Sequence, residues 1–441
     1  MTEFNAAAVE RLEGPSWLAE RRRQALVRFT AAPRPTGEAD DGWRYSRIGQ
    51  LDLERYAPAA PPADGTAAGA AGDLPEAATQ FLHRFGARAG FAVTVDGYLV
   101  SSELDEGAGA AGVRLGSAAA DPAGEDLLGS VTGQFRPSEV DGFAALADAF
   151  APEAVLLHVP PGAALSAPVV LVHIVTPAAD GGASKAVFPR TLVRLEENAE
   201  ATVVELLVST GSDGPLLVLP TVELSAADSA RLTHDLVQHL GRGAWQIGRL
   251  AASAGRDATL ASFQASLGGS YARVQTDSIL TGQGGSAQLL AAYFADGDQM
   301  HDFRTLQEHA APRTTSDLVF KGAVAGTSRS VYNGLIRMRH GAKGANAFQT
   351  NRNLVLSDGA RADSVPNLDI QENDVRCSHA SAVGPVDEEQ RFYLESRGVP
   401  RAVAERLILL GFFAELLDRV DPAVGGFVLD RIAERVQQVT A

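Results

Sequence analysis

Cysteine is almost absent. One residue in 441, Cys377, carries a thiol, so no internal disulfide can form and no cluster can be held by this chain's sulfurs alone. Aromatic residues are scarce as well, at 6%, which suits many small repeated units better than one aromatic-rich core. Basic residues are outnumbered: 38 Lys and Arg face 54 Asp and Glu, a formal net charge of −16. A surface of that sign repels phosphate backbones. The one basic triplet, Arg21-Arg22-Arg23, is followed by apolar Ala25, Leu26 and Phe29 and is expected to be the solvated face of a helix. Nucleic acid is therefore not an expected partner.

Long hydrophobic runs are missing too. The longest candidate, Leu407 to Phe413, falls far short of the ~20 apolar residues that cross a bilayer. The opening MTEFNAAAVE lacks the basic start and apolar core of a secretory signal. The expectation is a cytoplasmic chain with no membrane partner. Neither GxxxxGK[ST], GxSxG nor HExxH occurs, so no ATP site is expected and an enzyme is disfavoured. Gly107-x-Gly109-x-x-Gly112 matches a dinucleotide fingerprint in form, but the residues after it, VRLGSAAADPAGED, open no helix.

What is present suits a folded protein: 45% hydrophobic and 21% charged residues, too apolar for disorder. Trp17, Leu18, Ala25, Leu26 and Phe29 keep helical spacing up to the Pro33 and Pro35 pair. Residues 57–74 are rich in Pro, Ala and Gly and form a linker. A second helix follows near Pro75 to Gly86, and Phe91 to Val100 alternates around Asp96-Gly97, a hairpin signal. From about Ala154 to Ile370 the pattern becomes short β runs such as AVLLHV, PVVLVHIV and SVYNGLIRM, divided by Gly, Asp and Ser turns. No long helices intervene, which argues against a doubly wound fold and for a sandwich, barrel or β-solenoid. Asn333, Asn353 and Asn373 recur every 20 residues, the length of one β-helix coil, although asparagine also favours turns for local reasons. After Gly384 and Pro385 helices return. Asp387 caps the first, Gly398 ends it and Pro400 opens the next, where Leu407, Leu410, Phe413, Leu417 and Val420, broadened by Ile408, Phe412 and Leu416, give a wide apolar stripe. A further helix from about Pro422 to Val436 is expected to cover part of it.

The strongest constellation is Cys377-Ser378-His379, where strands hand over to helices. On a strand, residues two apart point to one side, so thiol and imidazole can approach one metal together. Two ligands do not close a site; the alternative is a buried structural cysteine beside a hydrogen-bonded histidine. A second group, Met300 to Arg304 with Glu308 and His309, splits across a strand: His301, Phe303 and His309 share one face, Asp302, Arg304 and Glu308 the other. Polar coil exteriors account for it more simply than a ligand set. His340 lies in RMRHGAK, an expected exposed turn.

The segments EHAAPRTTSDLVFKG (Glu308 to Gly322), NRNLVLSDGARADSVPNLDIQENDVRCSHASAVGPVDEEQRFYLESRGVP (Asn351 to Pro400) and ERLILLGFF closely resemble the SufB/SufD family of iron–sulfur cluster assembly. WLAERRRQAL and DGWRYSRIGQLDL, near the N-terminus, resemble its SufD branch, and the likeness is weakest from 57 to 130. SufB-type chains typically carry Cys-x-His-Glu-Ala and further cysteines upstream. Here Ala380 and Ser381 follow His379, and Cys377 is alone, which again resembles SufD, with Ala-Ser in place of its usual Gly-Ala. The resemblance implies a mainly β fold: a right-handed parallel β-helix over 151–385, after a helical and mixed region 1–150 and before a helical domain 386–441. It implies a non-catalytic scaffold subunit that assembles with a SufB-type paralogue and two copies of a SufC-type ABC ATPase, a homodimer being the other assembly. The last β-helix coils would pair with SufB and the C-terminal helices would dock the ATPase, with Arg397, Pro400, Glu405, Phe412 and Phe413 as partner-binding candidates. His379 would be a ligand to a transient iron–sulfur cluster shared with SufB, and Cys377 its neighbour. Two other classes compete. One is a β-helix enzyme acting on acidic polysaccharides, for which Asp363, Asp369 and Asp374 would supply carboxylates; the other is a purely structural interaction protein.

Overall fold

The computed structural model describes residues 3–37, 42–61, 74–135, 141–178, 183–211 and 213–440. Most of the 57–74 linker lies outside the described residues. From Val155 onward the chain alternates between two sheets. Val155–Val159, Arg190–Leu195, Thr221–Ala226, Ala244–Ala254, Tyr271–Leu280, Met300–His309, Arg329–Met338 and Arg361–Ile370 lie side by side in one sheet. Val169–Val175, Glu200–Ser209, Arg231–His239, Thr259–Ser266, Ser286–Ala295, Thr315–Val324, Asn346–Val355 and Arg376–Gly384 form the other. Successive neighbours pair in parallel, and the result is a parallel β-solenoid of about seven turns.

Tyr271 pairs with Met300 and Met300 with Arg329, 29 residues per turn. That spacing overturns the 20-residue asparagine repeat. Asn333 and Asn353 lie in different sheets, and Asn373 lies in the loop between the last two strands. The real repeat is in the backbone. One residue per turn holds a positive φ at the same corner: Asn198, Ser229, Asp257, Gly284, Arg313 and Gly344. Each donates its N–H to the carbonyl one turn further on, for example Asn198 to Asp228 at 3.0 Å and Arg313 to Lys343 at 2.9 Å. The corner thus satisfies donors that a sharp bend would otherwise strand.

Alternate side chains fill the interior. Aliphatic residues such as Val193, Val203, Leu224 and Leu250 occupy the early turns. Rings fill the later ones: Tyr293 lies 4.5 Å from Phe303, and Phe320 5.6 Å from Phe303, between ring centroids. The first turn is finished by antiparallel strands, Tyr98–Leu104 against Gly90–Val95 and Arg114–Ser117 against Val155–Val159. The first of these pairs is the hairpin expected around Asp96-Gly97.

The outer faces are covered by helices. Ser16–Ala31 packs on Gly142–Phe150 at the N-terminal side. Here the solvated reading of the basic triplet fails. Arg22 is wholly buried and donates to the carbonyls of Glu13 at 2.8 Å and Ala151 at 3.2 Å, with Pro152 also in contact. Arg21 reaches Leu128 O at 3.0 Å, and Arg23 alone faces solvent. Carbonyls left open at the ends of neighbouring segments need donors, and the guanidinium supplies several at once.

The polar-exterior reading of Met300–His309 fails similarly, because every residue of that strand is buried. Asp302 sits between Arg273 and Arg304, at 2.9 and 2.6 Å, and accepts from the Tyr271 hydroxyl at 3.0 Å. The two guanidiniums hold the N-terminal segment through Gly42 O at 2.8 Å and Arg44 O at 2.6 Å. On the opposite sheet, Leu409, Phe413 and Leu416 of Arg401–Leu417, with Val424, Val428, Ile432 and Val436 of Pro422–Thr440, pack on Leu206, Phe263 and Phe294. The apolar stripe therefore runs through Leu409 rather than Leu407, which is exposed.

Candidate functional site: the open end of the solenoid

Among the described residues the solenoid ends without a cap. Arg361–Ile370 and Arg376–Gly384 are each the terminal strand of their sheet, so each presents a bare hydrogen-bonding edge. Leu368, Ile370 and Val383 on these two strands are exposed apolar residues. Soluble proteins rarely leave such edges uncovered, because any second strand can pair with them.

Cys377 and His379 lie on this last strand. Register pairs Cys377 with Ala347 and His379 with Gln349 in the turn beneath. Cys377 is half-buried against the small apolar cluster of Ile336, Met338, Ala342, Ala345 and Ala347. Burial pushes its thiol up to about 11, so at neutral pH the sulfur stays protonated. His379 is exposed. The structure thus places the two on one strand at alternate positions, as the sequence predicts, but adds no third ligand. Among the described residues no group of three or more His, Cys, Asp or Glu side chains is arranged to hold a metal.

The other sequence candidates divide. His301, second in the strand Met300–His309, and His309, its last residue, are both buried. Burial pushes His309 down to about 4 and His301 to about 3, and His309 bonds to Thr314 and Ser316 hydroxyls at 2.8 Å. They are neutral packing residues, not a ligand pair. His340 is exposed on a corner as expected, although Arg337 beside it is buried against Asp369 and Glu308.

On the C-terminal helices Arg397 and Pro400 are exposed, and Glu405 is held by Arg391 at 3.3 Å and Arg401 at 3.0 Å. Phe412 is half-buried; its carbonyl accepts from the buried Lys321 ammonium at 2.9 Å, and its ring lies 4.9 Å from it. Phe413 is wholly buried, so it seats the helix on the solenoid and is not available to an outside partner. Sequence reasoning passed over Phe392 and Tyr393, which are exposed at 70% and 58%, and it put Leu407, 49% exposed, on the inward stripe. The signal for the two aromatics was their adjacency on a short helix, Glu388–Ser396, none of whose residues is buried. It also passed over Glu205, buried between His173 at 3.2 Å and His234 at 2.9 Å. Burial alone would raise that carboxyl, but the two imidazoles hold it well below the carboxylate range.

A family model described as the SufBD core domain of SUF-system Fe–S cluster assembly matches residues 176–412, over half the chain and nearly all the turns just described. The chain belongs to the SufBD family. An iron–sulfur cluster assembly SufBD family protein of Mycobacterium tuberculosis is 40% identical over 236 residues, 52% of this chain and 58% of that protein. SufD of Escherichia coli is 32% identical over 270 residues, 61% and 63% of the two chains, and SufD of Bacillus subtilis 30% over 265 residues, 60% of each. The alignments thus span about three fifths of the length of these relatives. The chain is a SufD-like member of this family. No helix among the described residues is long and apolar enough to cross a membrane.

Proposed function

We propose that the chain is a non-catalytic scaffold subunit on which an iron–sulfur cluster is assembled as cargo, and that His379 supplies one ligand where the open end meets a SufB-type paralogue. The observation that carries this reading is the coincidence of an incomplete ligand pair with two bare sheet edges. A second parallel solenoid continuing both sheets would satisfy the edges, cover Leu368, Ile370 and Val383, and bring its own ligands to His379. Cys377, protonated and half-buried, is the weaker ligand and would act only after a metal takes its proton's place.

The exposed Phe392, Tyr393 and Leu407, with Arg397 stacked 5.3 Å from the Tyr393 ring, form the surface for a SufC-type ATPase. Motion of that ATPase would reach the solenoid through the Lys321 contact with Phe412 and Glu415 and so alter the SufB-facing end. The chain itself performs no ATP chemistry in this scheme. The polysaccharide-enzyme reading gains nothing: Asp363 is bound by Arg329 and Arg361, Asp369 by Arg337, and Asp374 lies 3.8 Å from Lys343.

Anaerobic reconstitution with iron and sulfide, followed by visible absorption, tests the reading. The chain alone is expected to hold no stable cluster, the complex with its SufB- and SufC-type partners to hold one, and His379→Ala in that complex to lower it severalfold without breaking the assembly. An unchanged spectrum for the variant would remove His379 from the site.

A further inference from the structure

We infer that Gln349 is the positioning residue for the His379 imidazole. This rests on the reading of His379 as a cluster ligand. Gln349 lies one turn below His379 and in register with it. Ala347 and its register partner Cys377 belong to one interior cluster, and strand alternation puts the residues two further on, Gln349 and His379, on the same inward side.

Gln349 is wholly buried, yet neither its amide oxygen nor its amide nitrogen has a hydrogen-bond partner. The two other inward amides of its strand are satisfied: Asn353 Nδ2 donates to Asn351 Oδ1 at 2.8 Å, and Asn351 Nδ2 to the Tyr293 hydroxyl at 3.1 Å. Gly334 faces the amide across the interior, where a Cβ would meet the Tyr332 hydroxyl first and then Gln349 Nε2 at 2.6 Å. A buried amide with no partner costs about 1–3 kcal/mol, and an apolar side chain would remove that cost. The amide lies directly beneath His379, the stronger of the two candidate ligands.

In the free chain the His379 ring is exposed and the amide waits unpaired. When a partner solenoid covers the end, water leaves the ring and its nearest polar floor is the Gln349 carboxamide. The amide oxygen accepts from the ring nitrogen that carries the proton, which turns the other nitrogen's lone pair toward iron. Metal-binding histidines generally depend on such a second contact for orientation.

The test uses the reconstituted complex with Gln349→Leu, Gln349→Glu and His379→Ala, scoring cluster retention against an iron chelator, together with thermal melting of each chain alone. Gln349→Leu is expected to weaken retention about tenfold while the chain alone melts no lower than wild type, and Gln349→Glu, which restores an acceptor, is expected to recover retention. If Gln349→Leu retains the cluster while His379→Ala loses it, the inference falls and the ligand reading stands. If His379→Ala also retains the cluster, both fall. A melting point that drops with Gln349→Leu, or a Glu variant that fails to recover retention, makes the amide structural and overturns the inference.

Discussion

Asp302→Ala is expected to destabilise the chain by about 3–5 kcal/mol, the usual effect of removing one member of a buried ion pair. The carboxylate is the common counter-ion of Arg273 and Arg304, and all three side chains are buried. Without it two guanidiniums remain in the interior, and Tyr271 loses its acceptor. The same guanidiniums hold Gly42 and Arg44, and Arg273 lies 3.8 Å from the Trp43 ring, so the N-terminal segment should loosen first. A urea titration followed by tryptophan fluorescence, with limited proteolysis near Trp43, measures both effects. The pH dependence has a definite sign. Burial by itself would raise the Asp302 carboxyl, but the charges of Arg273 and then Arg304 outweigh it and hold the group below its ordinary 3.8. A folded-state value below the unfolded one contributes stability that is complete above the unfolded value and fades as pH falls through the folded value. The gap between wild type and variant should therefore be full at pH 5–8 and narrow below about 4; a gap independent of pH would show that the charge is not what stabilises.

Gly322→Ala is expected to cost about 3 kcal/mol or more, at the upper end for overpacking. Gly322 is in register with Tyr293 of the preceding turn, and a Cβ there would lie 1.8 Å from the tyrosine ring. The ring has nowhere to go. It is wholly buried, its centroid lies 4.5 Å from that of Phe303, and its hydroxyl donates to Asn353 at 2.6 Å while accepting from Asn351. Gly411→Ala serves as the control, since it lies within Arg401–Leu417 with nothing inside 4 Å of its Cβ position. There alanine should be neutral or stabilising by up to ~1 kcal/mol. Equal melting temperatures for the two variants would contradict the packing described for Tyr293.

Strand content was legible because short apolar, β-type runs end repeatedly in Gly, Asp and Ser turns, and the shared side of Cys377 and His379 was legible from the two-residue period of a strand. The solenoid's period was not, because what repeats is a backbone angle. Asparagine, serine, aspartate, glycine and arginine all occupy the left-handed corner, so no residue type marks it, and the one visible asparagine rhythm crosses between sheets. Burial of Asp302 was illegible for another reason. Arg304 meets its cover at Arg44, 260 residues earlier in the chain, and no local pattern carries that information. Arg22 shows the same limit over a shorter distance: its acceptor Ala151 is 129 residues away. The open end did leave a local mark that sequence reasoning passed over: Pro366 lies inside Arg361–Ile370, and proline within a strand belongs at a sheet edge.

In a stack whose turns touch mainly their neighbours, stability approximates a sum of nearest-neighbour terms. The turn made by Arg361–Ile370 and Arg376–Gly384 has a neighbour on one side only, so it lacks half of what holds an interior turn. In the isolated chain its amides should exchange with deuterium orders of magnitude faster than those of Tyr271–Leu280, as fraying of the last rung without global unfolding. A covering chain would slow that exchange and, by the same linkage, would spend part of its binding free energy on ordering the rung that bears His379. On the proposed role of His379, loading of the site and rigidity of its last strand are then one equilibrium, and a partner that binds without quieting that strand would not present the imidazole.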